Sequence, residues 1–91
     1  SDYKLGENNT LEELKKYTDS TYDAHYSKSK FQATEFILDA GHGEGFCIGN
    51  ILKYAQRYGK KNGKDKKDLL KVIHYAMIAL PINNGESDET K

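Results

Sequence analysis

Apolar residues recur at helical spacing in two stretches. Between Phe46 and Tyr58, Ile48, Ile51, Leu52, Ala55 and Tyr58 return every three or four residues, which at 100° per residue gathers them on one face. In the next stretch Leu69, Ile73, Ala76, Met77 and Leu80 do the same. Polar residues occupy the opposite sides: Asn50, Lys53 and Arg57 on the first helix, Asp68, Lys71 and Tyr75 on the second. Both triplets have the same spacing, a step of three and then a step of four. Gly59 sits where a left-handed residue ends a helix. The KKNGK turn follows, and a second helix starting near Asp65 or Lys66 is expected to end before Pro81.

The rest of the chain is less periodic. Thr10 and Glu13 have capping-box spacing and predict a short helix that stops before the turn-forming TDST stretch at 18–21. Ser29 caps a further helix over about Phe31 to Ala40, with Phe31, Thr34, Ile37 and Leu38 on one side. AGHGEG at 40–45 reads as a loop, and residues 21–26 are open to a short extended piece. The expected fold class is all-α: a small helical domain built on a central antiparallel helix pair and oligomeric. Residues 1–9 are expected to be a disordered N-terminus, 10–81 a single helical domain and 82–91 a disordered polar tail.

Charge changes this picture more than composition does. The chain has 91 residues, 36% hydrophobic and 31% charged, enough for one domain with a small core. Oligomerisation would supply what such a core lacks. The net charge is zero, but residues 53–71 hold Lys53, Arg57, Lys60, Lys61, Lys64, Lys66, Lys67 and Lys71 against Asp65 and Asp68. That local excess asks for an anionic partner, or else marks a solvated lysine-rich turn. No apolar run is long enough to span a membrane, and the polar N-terminus has no signal-peptide pattern. The single cysteine, Cys47, cannot form an internal disulfide, which points to a reducing compartment.

Familiar motifs fail. GKKNGK has three residues between its glycines and Asp65 after Lys64, so it is not a phosphate-binding P-loop. GHGEG lacks the preceding strand of a dinucleotide fingerprint. His25, His42 and His74 have no helical pairing and Cys47 has no partner cysteine, so no metal site is expected.

One combination does resemble a known family. His25-Tyr26, an E-F-I segment at 35–37, F-C-I-G-N-I-L-K-Y at 46–54, Arg57, G-K-K at 59–61 and D-L-L-K with Tyr75 match its pattern. The pattern runs H-Y, G-N-x-x-K-Y-x-x-R, x-G-K and D-L-x-K-A-x-x-Y, and Val72 stands where alanine is frequent. The chain resembles, over about Tyr22 to Ala79, a small tailed-phage family described as nucleotide kinases or as proteins of unknown function. The likeness is to the C-terminal module of the podophage early nucleotide kinases. It implies phosphoryl transfer to deoxynucleoside monophosphates, without a P-loop, in the cytoplasm of an infected bacterial host. A nucleoside triphosphate would be the donor.

Carried over position by position, the resemblance gives His25, Tyr26, Asn50, Lys53, Tyr54, Arg57, Lys61, Asp68, Lys71 and Tyr75 as the functional set. Phosphoryl transfer needs charge neutralisation and alignment. Arg57 suits a bidentate clamp, with Lys53, Lys61 and Lys71 as point charges. Asn50 and Asp68 suit a base or sugar, Asp68 also orienting Arg57 or Lys53. Tyr26, Tyr54 and Tyr75 suit substrate contact, Tyr54 or Tyr75 by stacking, and His25 is the candidate acid–base group. The two polar stripes are expected to face each other, or a second subunit, around an anion. Three other classes stay open at this point: a non-catalytic nucleotide-binding or sequestering protein, a nucleic-acid-binding helical module, and a purely structural bundle.

Overall fold

The computed structural model describes residues 2–23 and 27–89. Four helices follow one another: α1 (Glu7–Asp23), α2 (Ser27–Asp39), α3 (Gly43–Arg57) and α4 (Lys66–Glu89). Among the described residues there is no strand, and the all-α expectation holds.

The helices α3 and α4 form the central pair. Arg57 meets Asp68 near the connecting turn, Tyr54 meets Tyr75 further along, and Gly43 meets Ile82 at the far end. Residue numbers rise on one helix as they fall on the other, so the pair is antiparallel. Cys47, Ile51 and Tyr54 on α3, Tyr58 at its C-cap, and Asp68, Val72, Tyr75, Ala79 and Ile82 on α4, are all withdrawn from solvent. Their alternating steps of three and four are the spacing of a heptad seam.

That seam corrects the expected apolar faces. Ile48 and Leu52 on α3, and Leu69, Met77 and Leu80 on α4, were assigned to the core and instead face solvent. The physical reason lies in the seam, where small, aromatic and charged residues share the positions with Ile51, Val72 and Ile82. Gly43 and Cys47 allow close approach, and Tyr54 and Tyr75 fill the middle with their rings.

The turns explain the other boundaries. At the end of α2, Gly41 takes φ +89° and donates to the Leu38 carbonyl, while His42 N–H donates to Ile37, the two bonds of a Schellman cap. The cap uses only residues 40–42, so the expected 40–45 loop is shorter and Gly43–Gly45 open α3. Gly59 has φ +87° and closes the α3–α4 turn by donating to the Gly63 carbonyl at 2.8 Å, as expected of a left-handed stop. Asp65 Oδ1 accepts the Lys67 N–H at 2.9 Å and caps α4.

Four further helix limits differ from expectation, the α2 start among them, which lies at Ser27 rather than near Phe31. The first helix begins at Glu7, whose carboxylate accepts the Leu5 N–H, rather than at Thr10. It also runs through TDST, because Ser20 and Thr21 turn their hydroxyls back onto the Tyr17 and Thr18 carbonyls of the same helix. Nor does α4 stop before Pro81: it runs on to Glu89, the proline lying inside it on an exposed face.

The Gly43 contact yields a stability test. A Cβ there would stand 2.6 Å from Leu38 Cδ2 and 2.8 Å from Ile82 Cδ1, whereas one at Gly49 meets nothing. Gly43→Val is expected to cost about 1–3 kcal/mol through overpacking. Gly49→Ala is expected to add up to about 1 kcal/mol through helix propensity. Urea unfolding of the two variants against the parent chain checks both signs.

Candidate functional site

The polar stripes meet. Asp68, at the start of α4, is 1% exposed, and its Oδ1 lies 3.1 Å from Arg57 Nε at the end of α3. The Nε–H is not aimed along that line, so the contact is an ion pair without a hydrogen bond. Both Asp68 oxygens therefore have no hydrogen-bond donor among the described residues. A buried carboxylate in that state is costly and has unused acceptor capacity.

Beside this pair the Tyr54 ring collects cations. Lys53 Nζ stands 4.8 Å, Lys71 Nζ 5.0 Å and Arg57 Cζ 5.4 Å from its centre. Each such contact contributes on the order of 0.5–1 kcal/mol, and the ring's negative faces moderate the repulsion among the cations. Tyr75 lies nearly parallel to Tyr54 with ring centres 6.2 Å apart, and Phe46 meets Tyr75 edge-on. Burial pushes the Tyr75 hydroxyl above its ordinary value of 10.0, with Tyr54 and Cys47 adding to the shift.

Tyr54, Lys71 and Tyr75 also line a cavity of about 330 Å³ between the central pair and α1–α2. Its other walls include Tyr17, Lys30, Phe31, Lys67, His74 and Ile78. No carboxylate lines it, and Lys30, Lys67 and Lys71 form no ion pair among the described residues. The α1 helix is held over this side by Glu13, which accepts from Lys66 Nζ at 2.9 Å, and by the Tyr17 ring set edge-on to His74. His74 is buried, and that burial lowers its imidazole below the ordinary value of 6.5, the Lys30 charge pushing the same way.

Of the expected residues, Lys53, Tyr54, Arg57, Asp68, Lys71 and Tyr75 are brought together. Asn50 lies on the same side, but its amide donates to the Phe46 carbonyl of its own helix at 2.9 Å, which engages one face of the group expected to read a base or sugar. Lys61 lies on the exposed turn and does not line the cavity, so the structure does not join it to the cluster. His25 and Tyr26 lie outside the described residues. Sequence reasoning missed Lys30 and Lys67 and placed His74 only at an edge. The spacing of Lys67, Lys71, His74 and Ile78, steps of four, three and four on one flank of α4, was the available signal.

A family profile covers residues 20–77, and so α3, the first half of α4 and the residues gathered around Tyr54. The chain belongs to the DUF3310 family, proteins of unknown function. No curated protein and no solved structure matches it. Among the described residues of this DUF3310 chain, no three His, Cys, Asp or Glu side chains stand together as metal ligands, and no helix is long and apolar enough to cross a membrane.

Two measurements probe the site's electrostatics. Arg57→Ala is expected to cost roughly 3 kcal/mol, because it strands the buried Asp68 charge. Asp68→Ala should cost less, since the Arg57 side chain is already 23% exposed and can turn outward. The double variant should resemble Asp68→Ala, and a double-mutant cycle in urea reads the difference. For His74, the folded chain resists protonation. Above the ordinary value of 6.5 the ring is neutral in both states. As pH falls below it the unfolded chain takes up the proton first, so stability declines until folded His74 protonates too. Unfolding midpoints at about pH 7 and about pH 5.5 should fall further apart in the parent chain than in His74→Gln.

Proposed function

We propose that this chain binds a nucleotide in the cavity between α1, α2 and the central pair, and serves phage nucleotide metabolism as a deoxynucleoside monophosphate kinase without a P-loop. The observation that carries the reading is the lining: lysines 30, 67 and 71 without an acidic partner among the described residues, set among the rings of Tyr17, Phe31, Tyr54 and Tyr75. Unneutralised ammonium groups in a concave, partly desolvated space favour an anion, and flat aromatic walls favour a base. Asp68, buried and outside the cavity lining, serves to hold Arg57. The family resemblance supplies the reaction type, and the cytoplasm of the infected host is the setting it implies.

In this reading Lys71 and Lys67 take the phosphate, and Tyr54 or Tyr75 takes the base. Arg57, held by Asp68, stands beside them to meet charge developing on the transferred group. Catalysis of this kind rests on alignment and charge, so it needs no nucleophile from the protein.

A second reading, a nucleotide-binding protein that sequesters or senses its ligand, is favoured by size. About 330 Å³ is near the lower end of ligand pockets, which span roughly 300–1,000 Å³. That is room for one mononucleotide, with a triphosphate donor left to approach from the open side. Binding to nucleic acid draws less support, since the acidic N-terminal stretch and zero net charge give a weak electrostatic footprint.

A thermal-shift panel of nucleoside mono- and triphosphates tests the site. A ligand at a hundred times its dissociation constant should stabilise the chain by about 2.7 kcal/mol. Lys71→Ala should weaken the nucleotide at least tenfold with its helical circular dichroism unchanged. Incubation with a monophosphate and a triphosphate donor then separates the readings: a diphosphate product supports the kinase, and binding without product supports the sequestering protein. Lys71→Ala with full nucleotide affinity would remove the basis of both.

A further inference from the structure

The side of the central pair away from the cavity is apolar and bare. From the seam residue Cys47, Ile48 and Leu52 lie about 100–140° around α3 in one sense, and from Tyr75, Leu69, Ile73 and Leu80 lie about 120–160° around α4 in the same sense. In an antiparallel pair, equal senses of rotation from the seam lead to the same side. Lys53 and Arg57 on α3, and Lys71 and His74 on α4, lie in the other sense, toward the cavity. The bare side therefore joins Ile48, Leu52, Leu69, Ile73, Met77 and Leu80 in one surface, with Leu52 63% and Leu80 62% exposed.

We propose that this face is closed by a second copy of the chain, giving a four-helix bundle of α3 and α4 from each copy. Three observations favour a copy over another partner. Among the described residues only Cys47 and Leu70 are buried apolar residues, so the fold by itself lacks a core. A partner that completes a core must be present whenever the chain folds, and a second copy always is. The face also carries no charged side chain between its two ends. One end bears Glu44 in the first turn of α3; the other abuts the turn with Lys60, Lys61 and Lys64. A two-fold axis crossing the helices sets the acidic end of each copy against the basic end of its mate, an isologous contact satisfied by one sequence. Nucleotide binding plays no part in this assembly, and the cavity lies on the opposite side of the central pair.

Sedimentation velocity of the full chain tests it. The parent chain is expected at twice its single-chain mass or more at micromolar concentration. Leu52→Glu, at a position already exposed, should halve that mass with the helical circular dichroism unchanged, and Ile48→Lys should do the same. Glu44→Lys should weaken self-association about tenfold by setting like charges together. A monomeric parent chain overturns the proposal, as do Leu52→Glu and Ile48→Lys proteins that keep the parent mass. An unchanged dissociation constant in Glu44→Lys overturns the crossing two-fold arrangement.

Discussion

A buried carboxylate opposite a guanidinium fixes the register of the central pair. Asp68 sits in the seam position nearest the turn, and Arg57 closes α3 on the other side of it. Taking a carboxylate out of water carries a large desolvation cost, offset only when a cation stands close and donors fill its lone pairs. Here the cation is present and, among the described residues, the donors are absent. An aliphatic residue would hold the two helices together at least as well. The position is thus explained better by the guanidinium it holds beside the cationic cavity than by stability.

The cations beside it follow from the same geometry. Tyr54, three residues before Arg57 and one turn along the seam, presents its ring where Lys53, Arg57 and Lys71 can all approach. These three like charges are set within a few ångströms of one ring, with Asp68 as the nearby acid. Across Tyr75 the field continues into the cavity, where Lys30 and Lys67 join Lys71 and where burial keeps His74 from adding a charge. Such a site is preorganised for an anion, because its positive groups are held by helices rather than recruited from loops.

Much of this was legible in the sequence, though for a partly mistaken reason. The two main helices, the Gly59 stop and the convergence of the Arg57 and Asp68 stripes were readable from spacing and turn chemistry. The core face was not. A scale that counts only apolar residues ranks Leu52, Leu69 and Leu80 above Cys47, Tyr54 and Asp68, yet the second set forms the seam. The heptad was visible only if cysteine, tyrosine and aspartate were allowed as seam residues. In α1 the turn-forming residues misled because Ser20 and Thr21 satisfy their hydroxyls within the helix. Lys30 was beyond reach, since nothing local to α2 reveals that it stands across a cavity from Lys71.

The polar seam and the bare apolar face are two sides of one arrangement. Had the leucines of α3 and α4 packed against each other, each helix would have rotated by roughly 120–140° and carried its charged stripe to the outer surface. Arg57 and Lys71 would then face bulk water, where a cation attracts a phosphate only weakly. Turning the charged stripes inward concentrates the field over the cavity and leaves the aliphatic stripes outside. Their burial, at roughly 25 cal/mol per Å² of apolar surface, would come from the second copy we propose. In the proposed dimer, a fold that spends its seam on Asp68, Tyr54 and Tyr75 would draw stability from association, and the strength of that association would set how rigidly the cationic cluster is held.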